Sequence, residues 1–340
     1  MRKLASIQKI KYVKRIPDAD NIETVGILGW ECVGKKGEFQ PDDLCVYFEI
    51  DSLLPEIPEF EFLRKGCWND SLKKFRLKTI KLRKQLSQGL ALPLSVFPKL
   101  AELNAGDDVT EILGIEKYEP PIPAAIVGDA RSFSWPISKT DEIRVQLDDE
   151  YKFIESLSGK PYYISLKLDG TSSTFLIDPK DEIFHVCGRN YSYKRSEDHS
   201  FWKIAERYNI EQGLRDLWET GHRIAVQGEV VGPGIQKNPL GLTNPDLYVF
   251  NVVDIRTNTR LCLDKSLIVV ERLGLKFVPL LEKDSRFGYT KDDLLEKARG
   301  KYSEHFSSAK PQTEREGIVI RSLCGEISFK AINNDFLLKE

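Results

Sequence analysis

The sequence predicts an α+β protein in which a small N-terminal β-barrel precedes a larger domain of mainly antiparallel sheets with flanking helices. The chain has 340 residues, a length that is typical of two domains. Its first third consists of short β-branched and aromatic stretches separated by turn residues, a pattern that indicates strands. The remainder alternates apolar strand-like stretches with stretches of helical spacing, which indicates mixed structure.

The charge balance and the cysteine usage limit the class of protein. The 50 Lys and Arg residues are offset by 52 Asp and Glu residues, so a basic field over the whole surface is excluded and any nucleic-acid surface must be local. No stretch approaches the roughly 18 apolar residues of a membrane span, and the N-terminus is too charged for a signal peptide. The six cysteines form no CxxC and the four histidines form no HExxH, so we expect neither disulfides nor a zinc site. We expect a cytoplasmic protein that is not secreted, with a nuclear location open if the source is eukaryotic.

The N-terminal part is predicted to be a barrel. Hydrophobic alternation and turn signals predict strands at residues 4–16, 23–28, 30–33 and 44–50. About five short strands in this length suggest a small barrel, of which the OB type is one form. A proline-rich stretch, Glu119–Ala125, then stops both helix and sheet. We therefore predict a first domain over residues 1–118, a linker over 119–135 and a second domain over 136–340.

One segment of the first domain is strongly basic. Residues 73–84 contain no acidic residue, and their apolar and cationic side chains alternate. A period of two predicts an extended strand with one apolar face and one cationic face. Such a strand either protects a sheet edge against pairing or follows a phosphate backbone, and the residues alone leave both interpretations open.

The second domain alternates strands and helices. Apolar runs around turn residues predict strands at residues 161–168, 173–177, 223–231, 247–255, 317–322 and 326–331. Helical spacing predicts helices at residues 201–217, 263–273 and 291–299. The hairpins among these strands imply mostly antiparallel pairing.

A candidate nucleophile ends the first predicted strand of this domain. Lys167 lies between Leu166 and Leu168 and points away from both, and Asp169-Gly170 follows as a turn. A lysine in a strand is most often simply exposed to solvent, and the motif KxDG alone is a weak signal. An attacking amine must be unprotonated, so we expect burial, neighbouring cations or a metal to lower the pKa of Lys167.

Further candidate residues follow on predicted strands or at their ends. Singly, the carboxylates are most often salt-bridge partners and the aromatic residue is most often part of the core. Together they supply a lysine nucleophile, two carboxylates for Mg²⁺, cations for phosphates and a ring for a base, which is the equipment for nucleotidyl transfer to an amine. The set comprises Lys167, Arg189, Asn190, Glu229, Phe250, Glu316 and Lys330.

In this order of motifs the sequence resembles the covalent nucleotidyltransferase superfamily of polynucleotide ligases and mRNA capping enzymes. The family signature is KxDG, an arginine strand, a glutamate strand, an aromatic strand, EG-[IV]-V and a final lysine strand, and it is matched from Lys167 to Lys330. The β-rich module stands before this lysine motif and only a few residues follow Lys330, an arrangement similar to the ATP-dependent RNA ligases of the Deinococcus and Naegleria type. Residues 139–146 also resemble RNA-ligase sequence upstream of the nucleophile.

The resemblance implies an N-terminal OB-fold nucleic-acid-binding module, an adenylyltransferase domain and ATP-dependent RNA ligation. It implies that Lys167 attacks the α-phosphate of ATP to give lysyl-AMP, that AMP passes to a 5′-phosphate RNA end, and that a 3′-OH then attacks this end. The expected cofactors are ATP and Mg²⁺ or Mn²⁺. The expected partner is a pair of RNA ends in a nicked duplex with an RNA 3′-OH strand, bound by a monomer with no membrane partner. The alternatives are a DNA ligase, an mRNA guanylyltransferase and a non-catalytic RNA-binding protein.

The resemblance also assigns roles to the residues of the lysine motif and to the two carboxylates. Lys167 is the expected catalytic residue, and Asp169 and Gly170 hold the turn that presents it. Glu229 and Glu316 are the expected metal ligands, and Glu229 is also expected at the ribose. These assignments follow from the matched motifs alone.

The remaining roles concern the nucleotide. Phe250 is expected to stack on adenine, Ile318 to cover the other face of the base and Lys330 to contact the α-phosphate. The other expected nucleotide-binding residues are Leu166, Arg189, Asn190 and, at the outer phosphates, Arg144. Many relatives carry a second lysine two positions after the first in the last strand, where this chain has Ile332. Phosphate neutralisation is then expected to depend on Lys330 or on a cation of the N-terminal module.

Overall fold

The structure is a computed structural model, and the residues that it describes are 3–119, 130–132, 136–138 and 140–339. Most of the predicted linker lies outside these residues, so the predicted domain boundaries stay predictions. Contacts divide the described chain into two compact units. The first unit comprises residues 3–119, 145–152 and 337–339, and the second comprises 130–132, 136–138, 140–144 and 153–336. Among the described residues, no helix has both the length and the apolar character that crossing a membrane requires.

The first unit consists mainly of short strands. In chain order they are β1 (Ala5–Arg15), β2 (Ile22–Ile27), β3 (Trp30–Lys35), β4 (Leu44–Phe48), β5 (Ser52–Leu54), β6 (Trp68–Asn69), β7 (Lys74–Arg76), β8 (Thr79–Leu82), β9 (Gln85–Gln88), β10 (Leu90–Pro93) and β11 (Glu116–Lys117). Its helical turns are short, namely Pro58–Leu63, α1 (Arg64–Cys67), Leu94–Val96, Pro98–Leu100, Val145–Leu147 and α2 (Asp148–Tyr151).

These strands form three antiparallel sheets. The largest has the order β10-β4-β1-β2-β3, the second has the order β11-β5-β7-β6, and β8 pairs with β9 alone. Alternate apolar residues of β1 and β4, such as Ile7 and Phe48, face a core that also contains Phe60 and Phe97. The ring centroids of Phe48 and Phe60 lie 5.3 Å apart in an edge-to-face arrangement. The predicted strands of this unit are therefore confirmed, with ends shifted by one or two residues.

The basic segment is not the continuous strand that the sequence predicts. It is divided into β7 and β8, which belong to different sheets. Phe75 and Leu77 are buried, whereas Ile80 and Leu82 are 41% and 40% exposed. The predicted apolar face is therefore wrong for β8, because a period of two fixes which side chains share a face but not whether that face is covered.

The second unit contains the remaining strands and most of the helices. Its strands are β12 (Ala130–Ser132), β13 (Ile143–Arg144), β14 (Tyr162–Lys167), β15 (Thr171–Ile177), β16 (Phe184–Cys187), β17 (Tyr191–Tyr193), β18 (Ile224–Val231), β19 (Asp246–Asp254), β20 (Thr259–Arg260), β21 (Lys276–Phe277), β22 (Leu280–Asp284), β23 (Gly317–Ser322) and β24 (Ser328–Ile332). Its helices are α3 (Phe153–Leu157), α4 (Ser200–Arg207), α5 (Ile210–Glu219), α6 (Leu263–Arg272), α7 (Lys291–Lys297) and α8 (Asn334–Leu337), with a 3₁₀ turn at Tyr302–Glu304.

Two sheets organise this unit. One has the order β12-β17-β16-β15-β18-β19-β20, with β21 beside β19, and the other has the order β13-β24-β23-β14-β22. Only the pairs β13–β24 and β19–β21 are parallel among the described strands, which confirms the α+β class with mainly antiparallel sheets. Helices α4 and α5 cover the first sheet, where Phe201 and Leu214 share a core with Phe175 and Val226. Because β14 and β15 are consecutive in the chain, the turn between them passes from one sheet to the other.

The predicted helices are confirmed with one correction. Helices α6 and α7 lie within the predicted ranges 263–273 and 291–299. The single helix predicted over 201–217 is wrong, because α4 and α5 are separated at Asn209, whose backbone has a φ of +49°. Asparagine tolerates this left-handed conformation better than most residues, so the chain can change direction there.

Candidate active site

Lys167 is the last residue of β14, at the point where this strand leaves its sheet. Leu166 and Leu168 are buried in an apolar cluster with Tyr248 and Val278. Because side chains alternate along a strand, this packing directs Lys167 to the opposite side. The side chain of Lys167 is 22% exposed, so its amine lies in a partly enclosed position that still admits solvent.

A carboxylate holds the amine of Lys167. The Lys167 Nζ donates to Glu316 Oε2 at 2.7 Å, and the backbone of Lys167 is in register with Gly317 on the neighbouring strand β23. Gly317 has a φ of +151°, and a Cβ there would lie 2.2 Å from the carbonyl oxygen of Ala331. Only glycine therefore allows β23 to approach β24 closely enough to place Glu316 beside the lysine.

The second carboxylate, Glu229, lies on β18 and reaches the turn after Lys167. Glu229 Oε1 accepts the Gly170 N–H at 3.1 Å, and Glu229 is in register with Ser172 of β15. A Cβ on Gly170 would lie 2.4 Å from the carbonyl oxygen of Val230, so this close approach also requires glycine. Asp169 and Gly170 therefore form the predicted turn, and Glu229 is hydrogen-bonded to its backbone.

Tyr302, which the sequence analysis did not identify, connects the two sides of this site. Its phenol is fully buried, accepts the N–H of Asp169 at 2.8 Å and of Glu316 at 3.2 Å, and donates to the carbonyl oxygen of Lys167 at 3.0 Å. Burial raises the pKa of Tyr302 well above its ordinary value, so the hydroxyl remains a donor. A tyrosine in a 3₁₀ turn carries no motif, and no signal within the sequence connects it with a lysine 135 residues away.

Lys330 and Arg144 form the cationic side of the site. Lys330 lies on β24, in register with Val319 on one side and with Arg144 of β13 on the other. Arg144 is buried beside it. Burial disfavours the ammonium of Lys330, and the charges of Lys167 and Arg144 disfavour it further, so the pKa of Lys330 falls to about 7.

The protonation of Lys167 differs from the expectation. Burial disfavours its ammonium, but the carboxylates of Glu316 and Glu229 outweigh burial and raise the pKa of Lys167. Burial raises the pKa of Glu229 to about 8, with Lys167 opposing that rise and Glu316 adding to it. Without ligands, the proton is therefore held on Lys167, and Lys330 is the lysine whose pKa is lowered.

The predicted nucleotide-binding side chains differ in accessibility. Phe250 is half-buried against the apolar cluster of Leu166, and its carbonyl oxygen accepts from Arg321 Nη1 at 2.8 Å. Ile318 is fully buried and in register with Leu166. Arg189 is exposed and forms an ion pair with Asp141, and Asn190 follows it in the turn between β16 and β17. The contacts expected of these residues with a nucleotide stay predictions.

The carboxylates of the site suit a hard divalent cation. Glu229 and Glu316 both face Lys167 and supply oxygen atoms, the ligands that Mg²⁺ and Mn²⁺ prefer. Glu229 is partly buried, burial raises its pKa to about 8, and an added cation would favour its ionised form. These two residues therefore fit the predicted metal site.

A separate group of metal-ligating side chains lies in the hairpin between β15 and β16. Ligand atoms of Asp178, Asp181 and His185 lie within 4.8 Å of one another. The two carboxylates accept the backbone N–H groups of Lys180 and Ile183, which is ordinary turn capping. This group therefore has a structural explanation and is not part of the candidate site.

Comparison with known proteins finds a matching family for each of the two parts of the chain. An OB-fold domain family matches residues 4–94, and the RNA ligase family matches residues 160–332. No curated protein matches the chain closely enough to count as a relative.

Several solved structures resemble the whole chain, among them those of an RNA ligase from Naegleria gruberi. A mutant of that ligase with AMP and Mn is 37% identical, with a TM-score of 0.90 over 100% of this chain and 99% of that chain. A second mutant, with ATP and Mn, is 37% identical, with a TM-score of 0.90 over 99% of each chain. The same ligase with PPi is 38% identical, with a TM-score of 0.90 over 100% of this chain and 99% of that chain.

Proposed function

The chain belongs to the RNA ligase family and is an ATP-dependent RNA ligase, and from its site we propose that Lys167 is the residue that carries AMP. The predicted family and the predicted OB-type barrel are both confirmed. The alternatives of a DNA ligase, a guanylyltransferase and a non-catalytic RNA-binding protein find no support in these matches. The proposal depends on one observation above all, the Lys167 amine beside Glu316 at 2.7 Å.

In the first step, Lys167 Nζ attacks the α-phosphorus of ATP. An N–P bond forms, the bond from that phosphorus to the bridging oxygen breaks, and pyrophosphate leaves. The amine must lose a proton before it can attack, and Glu316 Oε2 lies within hydrogen-bond distance to receive it. The turn at Asp169 and the Tyr302 hydrogen bonds hold the backbone of the nucleophile in place, so the step depends mainly on positioning.

The charged residues around Lys167 have complementary tasks. Lys330, whose pKa is about 7, would be favoured as an ammonium by the negative triphosphate, because an opposite charge raises the pKa of a lysine. We propose that Lys330 and Arg144 neutralise phosphate oxygens. Glu229 and Glu316 would hold the divalent metal, which supplies charge neutralisation at the phosphates when bound.

Two further transfers complete the proposed cycle. The AMP on Lys167 passes to the 5′-phosphate of an RNA end, and a 3′-OH then attacks that activated phosphorus and releases AMP. We propose that Phe250 stacks on the adenine and that Arg189 and Asn190 contact ribose or phosphate. Ile318 is fully buried and in register with Leu166, on the sheet face opposite Lys167, so the contacts expected of these two side chains with the base are not part of the proposal. The ion pair between Arg189 and Asp141 lies at the surface, so breaking it for a phosphate would cost little free energy.

The proposal also includes the preferred substrate, the oligomeric state and the cellular location of the protein. We propose that the RNA ends are held in a nicked duplex with an RNA 3′-OH strand, that the protein acts as a monomer, and that it is cytoplasmic. All six cysteines are free, which supports a reducing compartment. A panel of nicked duplexes with RNA or DNA on each side of the nick would test the substrate preference.

The proposed nucleophile can be tested directly. Wild-type protein incubated with α-labelled ATP and a divalent metal should give a covalent AMP adduct, and Lys167→Ala should give none. Lys203→Ala, which removes an exposed lysine from α4, is the matched control and should retain the adduct. An adduct that persists in Lys167→Ala, or sealing by wild type with no adduct, would overturn the proposal.

A further inference from the structure

The two-stranded sheet of β8 and β9 carries an exposed tip. All five residues from Ile80 to Lys84 are exposed, and they include the cations Lys81, Arg83 and Lys84. Ile80 and Leu82 are each about two-fifths exposed, although apolar side chains in a sheet usually find cover. This segment, residues 80–84, is called the hairpin tip below.

The turn at the tip has an unusual composition. Leu82 pairs with Gln85, so Arg83 and Lys84 form a two-residue loop, and their φ angles are +48° and +69°. Such loops favour Asn-Gly or Asp-Gly, because positive φ angles strain residues that carry a longer side chain. The chain has this strain at two successive positions, which places two long cations at the end of the hairpin. A turn whose residues differ from those that its backbone geometry favours is often found at a functional site.

Among the residues that the structure describes, the cations of the tip have no ion-pair partner. Nearby cations of the basic segment have protein partners, since Lys74 lies 2.5 Å from Glu116 and the Arg76 guanidinium lies 3.5 Å from the centre of the Tyr118 ring. Within the part of the chain that the structure describes, no carboxylate oxygen lies within 4.0 Å of the charged nitrogens of Lys81, Arg83 or Lys84. Their charge is therefore available to an external anion.

The base of the hairpin, in contrast, is firmly held. Ser87 Oγ accepts the Val33 N–H at 3.0 Å, and the Gln88 carbonyl oxygen accepts from the Tyr47 hydroxyl at 3.0 Å. Ser87 and Gln88 are both buried. The exposed tip therefore extends from an ordered base. Binding a ligand at the tip would cost the hairpin backbone little conformational entropy.

We propose that the hairpin tip binds the sugar–phosphate backbone of the RNA duplex. Lys81, Arg83 and Lys84 would contact phosphates, and Ile80 and Leu82 would pack on the sugars. Edge protection alone would need neither two strained cations nor two exposed aliphatic side chains. This inference rests on the proposed function, because an RNA ligase must hold a polyanion whose sequence it does not read.

The test uses a variant that removes charge and relieves strain together. Arg83→Asn with Lys84→Gly restores the preferred turn residues, so this double variant should melt at the wild-type temperature or above it. Binding to a nicked RNA duplex without ATP should weaken by about tenfold or more at 0.1 M salt, and the slope of log affinity against log salt should fall by about 2. Lys265→Gln with Arg272→Gln removes the same charge from exposed positions of α6 and should bind like wild type.

The other outcomes distinguish a failure of this inference from a failure of the proposed function. Unchanged affinity and salt slope in a folded Arg83→Asn/Lys84→Gly variant would overturn the inference. Equal weakening in the α6 control would also overturn it, because the effect would then be one of net charge. Loss of binding to vesicles of anionic phospholipid, with RNA binding unchanged, would identify a membrane contact instead. A wild-type protein that binds RNA through the tip but forms no AMP adduct would contradict the proposed function alone.

Discussion

The Tyr302 hydroxyl donates to the carbonyl oxygen of Lys167 at 3.0 Å, so one buried phenol is bonded to the backbone of the nucleophile. The same oxygen accepts the N–H groups of Asp169 and Glu316, on the two segments that flank the amine. The distance between the nucleophile and its carboxylate therefore depends on a residue that takes no part in the bond changes. We regard Tyr302 as a positioning residue.

Tyr302→Phe should keep the ring packing and remove all three hydrogen bonds. Two partly buried N–H groups would lose their acceptor, so the free energy of unfolding should fall by about 1–3 kcal/mol. The rate of adduct formation in a single turnover should fall by about tenfold or more, because small displacements at a reacting atom are costly. Tyr289→Phe, which removes a hydroxyl bound to Glu282, is the control and should leave that rate unchanged. An unchanged rate in Tyr302→Phe would refute the positioning role.

Lys330 should make nucleotide binding dependent on pH. Its pKa is about 7 without nucleotide, and the triphosphate favours its charged form, so a proton should be taken up when ATP binds near and above pH 7. Calorimetry in buffers of different ionisation enthalpy can count this proton, with an ATP analogue that has a methylene between the α- and β-phosphorus. The difference between wild type and Lys330→Met removes the contribution of the nucleotide itself. Equal proton uptake by both proteins would contradict this assignment.

The same lysine should affect stability in alkaline solution. Lys330 titrates at about 7 in the folded protein and at 10.5 when unfolded, so between these values the unfolded chain binds more protons. The free energy of unfolding of wild type should therefore rise relative to Lys330→Met as the pH increases from 7 to 10. Urea denaturation at several pH values measures this difference. A constant difference across that range would show that Lys330 is not buried as a neutral amine.

Gly317→Ala should disrupt the approach of β23 to β24. The new Cβ would lie 2.2 Å from the Ala331 carbonyl oxygen, at a φ of +151° that side chains rarely adopt. The cost of such strain is about 1–3 kcal/mol in the free energy of unfolding, and Glu316 should be displaced with the strand. Gly288→Ala is the control, since no atom lies within 4 Å of its added Cβ. Similar urea midpoints for the two variants would disprove the argument from close approach.

Glu316→Gln should impair the first step without unfolding the site. The amide keeps the shape but no longer carries the charge that faces Lys167 and the metal. Adduct formation should fall by about a hundredfold, the typical loss when one group that stabilises charge in the transition state is removed. The metal concentration for half-maximal rate should rise. Glu326→Gln, at an exposed position, should change neither quantity, and a normal metal dependence in Glu316→Gln would exclude Glu316 as a ligand.

Local alternation predicted most of the strands along the chain, and it also places Lys167 opposite Leu166 and Leu168. The family and the two carboxylates expected near the nucleophile were predicted from the resemblance of the ordered motifs, and the structure brings Glu229 and Glu316 to the lysine motif. The sequence also showed that the basic segment alternates. It could not show that Ile80 and Leu82 are exposed to solvent, because the exposure of a side chain depends on what packs against its strand.

Tertiary structure alone decided which charges meet. Burial and the charges of Lys167 and Arg144 lower the pKa of Lys330, and the parallel pairing of β13 with β24 is what places Arg144 beside it. Glu316 raises the pKa of Lys167. Tyr302 reaches the nucleophile across 135 residues. Electrostatic and hydrogen-bond energies depend on distance and burial in the folded chain. A sequence pattern can therefore predict which groups react, but not their protonation states or the residues that hold them in position.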